Sequence, residues 1–453
     1  MTIESNEFQD ILIDLCEEYR KNNGFNPEDY ATYGVKRGLR NPDGTGVMAG
    51  LTNICNVHGF LMADGERIPD EGKLTYRGID VNDIVNACLE ENRFGFEETA
   101  WLLLFGSLPS KNALQHFKDV LAYCRELPAS FTDDMMKFPS KDIMNKLARE
   151  VLILYSCDDN PDSTSLENVM RQSIKLIASL PTIMTYAYQV KRRYFDKESM
   201  FFHPYDSSLS TSESILRAIR PDMKYTDTEA KLLDLCMILH AEHGGGNNST
   251  FTTRVLSSSG TDTYSAIAAA IGSLKGPRHG GANLRVKAMM DALKFCVKDW
   301  TDDEEIMNYL SSIIRKEAGD GSGLIYGFGH AIYTLSDPRA VILKRTAEKL
   351  ATEKNMTAEF ELYKRVERLV PVVFHKIKKS EKTICANVDF YSGFVYDMLD
   401  ISEDLFTPLF AVSRVAGWCA HRIEEVTYGG RIIRPAYRSM IHTIKYTPIA
   451  DRS

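Results

Sequence analysis

The sequence lacks the cysteine pattern of a disulfide-bonded or zinc-binding protein. Its nine cysteines are scattered and odd in number, and no two stand in the C-x-x-C spacing. Such thiols are typical of a protein that keeps its cysteines reduced. Residues 1–10 are acidic, unlike a secretory signal with its basic start and apolar run or an Arg-rich transit peptide. Both features predict a cytoplasmic protein.

Long apolar runs and a strong excess of positive charge are also missing. No stretch of about 18 apolar residues occurs, so no segment is predicted to span a membrane. The net charge of −8 disfavours broad binding to nucleic acid or anionic membranes. No G-x-x-x-x-G-K-[ST] loop is present, and no G-x-G-x-x-G follows a predicted strand, which excludes the common nucleotide-binding motifs.

A linker rich in Pro, Gly or Ser is absent as well, although 453 residues are too many for one core. Two domains are therefore expected, with their boundary at hinges inside compact structure. Gly280-Gly281 and Ser392-Gly393 are candidate hinges, because small residues absorb backbone rotation easily. The segment between them would then be a movable lobe.

What the chain does contain is helical periodicity, without the alternation of strands and helices that builds a parallel sheet. Residues 34–78 differ, since they are rich in Gly, Asn, Asp and Pro and predict loops with a small β-ribbon. The fold class predicted is all-α, with a small β/loop element near the N-terminus. Helices are predicted over 7–22, 166–187 with a bend at Pro181, 264–274, 286–297, 304–315, 339–353, 357–377 and 402–425.

Residues 240–283 are the most informative stretch. His243 lies in H-A-E-H-G-G-G-N and His279 in G-P-R-H-G-G-A-N, and a helix of small residues separates the two turns. A lone histidine is more often structural, but a glycine-flanked histidine in a turn is open to a ligand. His330 in G-F-G-H and Asp389 in N-V-D-F-Y-S-G have similar surroundings, whereas His240 is expected to be a structural partner.

Arginines and a possible metal site complete the polar candidates. Arg339, Arg414 and Arg434 are candidate carboxylate binders, because a guanidinium fork binds carboxylates through two hydrogen bonds, although most arginines are simply solvated. His240 and His243 are three residues apart, which is not the H-E-x-x-H spacing, and no further Cys/His cluster follows. No metal site is therefore predicted.

Together and in this order, the motifs resemble those of the citrate synthase family over about residues 75–440. The resemblance implies a large helical domain and a smaller, movable one, in a homodimer. The implied reaction condenses acetyl-CoA with oxaloacetate and hydrolyses citryl-CoA, with acetyl-CoA as cosubstrate and no bound cofactor. The implied divisions are 1–75 for an arm and β/loop element, 76–280 and 394–453 for the large domain, and 281–393 for the small domain.

The resemblance also implies residue roles. Asp389 would remove a proton from the acetyl methyl group, His279 would donate a hydrogen bond to the thioester oxygen, and His330 would polarise and protonate the oxaloacetate carbonyl. The oxaloacetate-binding residues would be His243, Arg339, Arg414 and, from the partner subunit, Arg434. The CoA contacts would be Gly327, Gly329 and Asn387. The CoA phosphates have no assigned partner, because Ala331-Ile-Tyr-Thr334 stands where many relatives carry a basic residue.

Other functions stay open at this point. A 2-methylcitrate synthase would use propionyl-CoA, and one methylene gives only about 1–3 kcal/mol of discrimination. A catalytically inactive CoA-binding regulatory protein would bind ligands without releasing thiol, although the presence of His279, His330 and Asp389 together argues against it. A metal hydrolase would lose activity in the presence of a chelator.

Overall fold

The structure is a computed structural model that describes residues 5–22, 26–128, 130–379, 383–441 and 443–452. Eighteen α-helices lie in these ranges, and the strands described there fall between residues 55 and 80. The predicted all-α class with a small β element is thus confirmed. No helix in these ranges is both long enough and apolar enough to cross a membrane.

Two compact units divide the chain, and the smaller one consists of residues 1–50 and 62–67. It contains α1 (Ser5–Asn22) and α2 (Asp29–Thr32). The amphipathic helix predicted over 7–22 is present as α1. Among the residues of α1 whose side chains are described, the large apolar ones nevertheless remain exposed, for example Leu12 at 41% and Leu15 at 62%. Periodicity thus identified the helix but not the burial of its apolar face.

The predicted β-ribbon is a three-stranded sheet in the order β1-β2-β3. Its strands are β1 (Cys55–Ala63), β2 (Glu66–Tyr76) and β3 (Ile79–Asp80). Asp64 and Gly65 connect β1 to β2, and both have positive φ. That conformation matches the two-residue turn favoured in hairpins, which explains the Asp-Gly pair at this position.

The larger unit, residues 51–61 and 68–453, contains the other helices. Many begin at a side chain that accepts a hydrogen bond from a free N–H group of the first turn, as at Asp337 and Asn387. The helices are α3 (Val81–Glu90), α4 (Phe96–Phe105), α5 (Lys111–Cys124), α6 (Phe131–Lys137), α7 (Ile143–Ser156), α8 (Leu166–Lys191), α9 (Thr211–Ile219), α10 (Asp227–His240), α11 (Asn248–Ser258), α12 (Thr263–Lys275), α13 (Ala282–Cys296), α14 (Asp303–Ile314), α15 (Pro338–Glu353), α16 (Thr357–Lys378), α17 (Val388–Met398) and α18 (Phe406–Glu424).

Helix α18 is the central element of this unit. It is buried along nearly its whole length and packs against α4, α8, α10, α11 and α12. It packs tightly against the chain after α10 at Gly417, where a Cβ atom would lie 2.1 Å from Glu242 Oε2 and 2.5 Å from the Ala241 carbonyl oxygen. A glycine is therefore required here, and the contact fixes Arg414 of α18 relative to the turn that carries His243.

The division of the helical body at residues 281 and 393 stays a prediction. Gly280 is tightly packed, because a Cβ atom there would lie 2.2 Å from the Leu274 carbonyl oxygen. Ser392 and Gly393 lie inside α17, not in a loop. A hinge at the second position would therefore have to act next to or within a helix.

Candidate active site

The two glycine-rich turns hold His243 and His279 at the ends of packed helices. His243 follows the end of α10, where the Tyr76 hydroxyl donates a hydrogen bond to the Ile238 carbonyl at 2.9 Å. His279 follows the end of α12, and its Nε2 lies 3.0 Å from Ser249 Oγ and 3.3 Å from the Ser249 backbone nitrogen, at the start of α11. The backbone N–H can only donate, so in this arrangement the neutral ring carries its proton on Nδ1.

Both histidines are held in the neutral form. Burial, together with the charge of Arg414, lowers the pKa of His279 to about 4. Burial and then the charge of Arg339 hold the pKa of His243 well below its ordinary value. A neutral ring offers one donor and one acceptor, so each histidine can form directed hydrogen bonds without adding a buried charge.

His330 is oriented by its own loop. Its Nδ1 accepts hydrogen bonds from the backbone N–H groups of Ile332 at 3.1 Å and Tyr333 at 3.2 Å. A neutral ring with Nδ1 as the acceptor carries its proton on Nε2. The opposite edge of the ring is therefore a hydrogen-bond donor, which is the group that can polarise a carbonyl oxygen.

Tyr333 joins the histidines into one cluster and was missed by sequence reasoning. Its hydroxyl lies 3.2 Å from His243 Nε2, and its ring stacks on His330 with centroids 4.7 Å apart. The rings of His243 and His330 are themselves 5.0 Å apart. The sole signal in the sequence was its position three residues after His330, because its other partner is 90 residues away in the chain.

Asp389 lies in the first turn of α17, where Asn387 caps the helix by accepting a hydrogen bond from the Asp389 N–H at 3.0 Å. Burial raises the pKa of Asp389 to about 6, although Arg339 and Arg414 act in the opposite direction. A carboxylate with a pKa near the working pH is well suited to act as a general base. The structure therefore places the candidate base Asp389 in the electrostatic field of Arg339 and Arg414, the two candidate carboxylate binders.

Arg339 is buried and rigidly held by Asp337. Its Nε and Nη2 donate to the two carboxylate oxygens at 3.0 and 2.7 Å. Burial acts against the charged form, but Asp337 raises the pKa of Arg339, which stays a cation. Nη1 takes no part in these two hydrogen bonds, and it is the nitrogen left for a ligand.

Arg414 is a candidate anion-binding group. It is fully buried on α18, its Nε donates to the His240 carbonyl at 2.5 Å, and its guanidinium carbon lies 4.7 Å from the centre of the Phe410 ring. Neither Nη1 nor Nη2 has a hydrogen-bond partner among the described residues. Buried guanidinium nitrogens without a partner are costly, and a bound carboxylate would satisfy both of them.

His240 is fully buried and stacks on Phe410, with ring centroids 4.3 Å apart. Within the described ranges neither ring nitrogen has a hydrogen-bond partner. Burial holds its pKa well below the ordinary value. The packing against the ring that also lies beneath Arg414 is consistent with the structural role expected for this histidine.

The remaining candidates lie in loops or in the C-terminal segment. Gly327 and Gly329 both have positive φ. The segment that contains them pairs with residues 385–387, for example through the hydrogen bond from the Asn387 N–H to the Gly327 carbonyl at 2.8 Å. Their role as CoA contacts stays a prediction. Arg434 is exposed in a segment without helix or strand, and no hydrogen bond or ion pair of the described chain joins it to the site. No group of three or more His, Cys, Asp or Glu side chains suited to a metal ion occurs among the described residues.

Comparisons with known proteins agree on one family. Residues 41–436 match the family model described as citrate synthase, C-terminal domain. A citrate synthase from Synechocystis sp. is 32% identical over 90% of this chain and 92% of its own length. A 2-methylcitrate synthase from Shewanella oneidensis is 34% identical over 84% of this chain and 92% of its own length.

Solved structures give the same result. The crystal structure of citrate synthase from Thermotoga maritima has a TM-score of 0.72 and 29% identity, over 92% of this chain and 99% of that chain. A ternary complex of citrate synthase from Thermoplasma acidophilum with carboxymethyl coenzyme A and oxaloacetate has a TM-score of 0.74 and 27% identity, with the same coverage. The fold and the site thus define a helical transferase. The chain belongs to the citrate synthase family.

Proposed function

We propose that this enzyme condenses acetyl-CoA with oxaloacetate and then hydrolyses citryl-CoA, which releases citrate and CoA. The observation that carries the proposal is the buried guanidinium of Arg414, whose Nη1 and Nη2 have no hydrogen-bond partner among the described residues and whose charge acts on Asp389, with its pKa of about 6. A dicarboxylic keto acid requires a guanidinium that binds its carboxylate through two hydrogen bonds. A weakly acidic carbon requires a base whose pKa lies near the working pH. Acetyl-CoA acts as cosubstrate, and no bound cofactor is needed.

The first step is removal of a proton from the acetyl methyl group by Asp389. A thioester α-proton is very weakly acidic, so the base needs help from a donor that stabilises charge on the thioester oxygen. His279 supplies that donor through its Nδ1–H, while its Nε2 keeps the hydrogen bond from the Ser249 N–H. A preorganised donor of this kind is worth about 3–4 kcal/mol, and a positioned base adds roughly 10²–10⁴-fold.

The second step forms the carbon–carbon bond. The enolate carbon attacks the oxaloacetate carbonyl, and the proton on His330 Nε2 passes to the carbonyl oxygen as it becomes the hydroxyl of citryl-CoA. Arg339 through Nη1 and Arg414 through its two free nitrogens hold the carboxylates, and His243 donates a further hydrogen bond. Water then adds to the thioester carbon and gives a proton back to His330, the carbon–sulfur bond breaks, and the proton held by Asp389 passes to the departing sulfur. The products are the CoA thiol and a new carboxyl group, which ionises to the carboxylate.

The assembly and location are also part of the proposal. We expect a homodimer in which Arg434 of each chain completes the oxaloacetate site of the other, a role supported by its exposed position outside the site of its own chain. The scattered, unpaired cysteines support a cytoplasmic location. The CoA contacts of Gly327, Gly329 and Asn387 belong to the same proposal.

The test is a comparison of kcat/KM for acetyl-CoA and propionyl-CoA, with oxaloacetate as the second substrate and thiol release as the readout. We expect acetyl-CoA to be preferred and a chelator to have no effect. A preference for propionyl-CoA would make the protein a 2-methylcitrate synthase. Ligand binding without thiol release would identify an inactive CoA-binding protein, and loss of activity with chelator would favour a metal hydrolase.

A further inference from the structure

The β-ribbon is hydrogen-bonded to the loop that follows His330. The Thr334 hydroxyl donates to the Gly59 carbonyl of β1, and it also lies 3.1 Å from both the backbone nitrogen and the carbonyl oxygen of Asp70 on β2. A hydroxyl has one proton and two lone pairs, so it can donate to one carbonyl and accept from the Asp70 N–H at the same time. One side chain therefore connects this loop to both long strands.

A second side chain repeats the attachment two residues later. Ser336 Oγ accepts a hydrogen bond from the Gly72 N–H at 3.1 Å and donates to the Glu71 carboxylate. Both attachments lie on the same short segment of the loop. Two attachments fix the orientation of that segment as well as its position.

The strands can approach this closely because the ribbon has glycine at each contact. A Cβ atom on Gly59 would lie 2.6 Å from Tyr333 Cα, and a Cβ atom on Gly72 would lie 2.1 Å from the Ser336 carbonyl oxygen. Neither glycine has the positive φ that would give a conformational reason for its presence. Close packing of backbone on backbone is thus the physical reason for both glycines.

The loop segment that is hydrogen-bonded to the β-ribbon also determines the orientation of His330. The two backbone N–H groups that donate to His330 Nδ1 belong to Ile332 and Tyr333, immediately before Thr334. A displacement of this turn would move these donors away from Nδ1 and allow the ring to rotate or to change its tautomer. The proton on Nε2 would then no longer point at the substrate carbonyl.

We propose that Thr334 is a positioning residue through which the β-ribbon sets the orientation and tautomer of His330. This inference rests on the proposed function, since it assigns the ribbon to the step in which His330 protonates the oxaloacetate carbonyl. It separates that step from the earlier one. Proton removal from acetyl-CoA by Asp389 and His279 does not depend on the Thr334 hydroxyl.

The central experiment compares Thr334→Val, which keeps the shape but removes the hydroxyl, with Thr334→Ser, which keeps the hydroxyl. Two activities are measured for each variant. One is thiol release with acetyl-CoA and oxaloacetate. The other is exchange of solvent deuterium into the acetyl methyl group with malate bound, because malate has both carboxylates of oxaloacetate but no ketone to attack.

We expect Thr334→Val to lower kcat for thiol release by roughly 10–100-fold, since misplacement of a catalytic group by about 1 Å can cost 10² in rate. Deuterium exchange should stay within about twofold of the unsubstituted enzyme, and Thr334→Ser should recover most of the thiol release. The matched control is Thr346→Val on α15, where the hydroxyl bonds within the helix to the Ile342 carbonyl at 2.8 Å. It should leave both activities unchanged.

Three results would overturn the inference: unchanged thiol release in Thr334→Val, equal loss of both activities, or a Thr334→Ser enzyme as impaired as Thr334→Val. If Thr334→Val does not fold, Ser336→Ala carries the test, and it should show a smaller loss of thiol release with normal exchange. Unchanged thiol release in Ser336→Ala, or a loss of exchange as large as the loss of thiol release, would also overturn the inference. Failure of the proposed function itself is distinct, because the unsubstituted enzyme would then release no thiol.

Discussion

Asp337 connects a candidate substrate-binding arginine to the helix that carries the candidate base. Its carboxylate binds Arg339 through Nε and Nη2, and its Oδ2 also accepts a hydrogen bond from the Val388 N–H at 3.2 Å, one residue before Asp389. The first turns of α15 and α17 are therefore joined through one buried carboxylate. The Asp337 carboxylate thus orients Arg339 and also fixes the start of α17, the helix that carries Asp389.

Asp337→Asn should impair both stability and substrate binding. Removing one partner of a buried ion pair commonly costs about 3–5 kcal/mol, because the other charge stays buried. We expect a lower free energy of unfolding and a higher KM for oxaloacetate, measured by denaturant unfolding and steady-state kinetics. Asp303→Asn, which alters a more exposed pair with Arg365, is the control and should change neither by much. Wild-type stability of Asp337→Asn would contradict the proposed connection.

The pH dependence of the reaction should follow Asp389. Its pKa of about 6 means that the carboxyl is protonated, and so inactive as a base, below that pH. The pKa of His279, about 4, lies too low to cause the same loss. We therefore expect kcat/KM for acetyl-CoA to fall as the pH decreases through about 6. An acid limb centred near 4 would point instead to His279, and Asp389→Ala should abolish thiol release while oxaloacetate binding is nearly retained.

The same carboxyl should make the folded protein less stable at neutral pH. Its pKa is about 6 in the folded state against an ordinary 3.8, so the unfolded chain loses this proton first as the pH rises. Stability is therefore lost between about pH 4 and 6, by at most about 3 kcal/mol. Asp389→Asn should unfold at a higher temperature than the wild type at pH 7, with the difference shrinking at pH 4. A less stable variant at pH 7 would show that Asp389 has a structural role.

The candidate roles of the histidines and Asp389, which stay predictions, could be proposed from sequence because their signal is local. His279 and His330 stand among glycines, and such turns recur in a fixed order along the chain. Tyr333 and Thr334 could not be predicted, because their roles depend on partners far away in the chain. Thr334 bonds to Gly59, 275 residues away, and nothing in either local sequence indicates that contact.

The fold shows the same limit. Helical periodicity predicted α12 and α16 nearly to their ends, since each has an apolar face that packs against other helices. Periodicity also predicted α1, but its apolar residues Ile11 and Leu12 are exposed in this chain. Apolar periodicity indicates that one face of a helix can be buried. It does not report which surface covers it.

Arg414 should contribute more to oxaloacetate binding than any surface arginine. Loss of one partner of a desolvated charge pair costs about 2–5 kcal/mol, which corresponds to a KM increase of about 30-fold or more. Arg414→Lys should also bind poorly, because an ammonium group cannot replace the two-nitrogen fork. The measurement is KM for oxaloacetate, with Arg192→Gln as the control, at an ion pair between a partly buried arginine and the exposed Glu198. Wild-type KM in Arg414→Lys would mean that charge alone holds the substrate.

Gly417→Ala should damage the enzyme through packing alone. The added Cβ atom would lie 2.1 Å from Glu242 Oε2 and 2.5 Å from the Ala241 carbonyl, so α18 and the turn before His243 must separate. Overpacking of this kind costs about 1–3 kcal/mol. We also expect a higher KM for oxaloacetate, because Arg414 and His243 lie on opposite sides of this contact. Gly50→Ala, with nothing within 4 Å of the new atom, should change the free energy of unfolding by no more than about 0.5 kcal/mol. Equal effects of the two substitutions would exclude the contact at Gly417 as the cause.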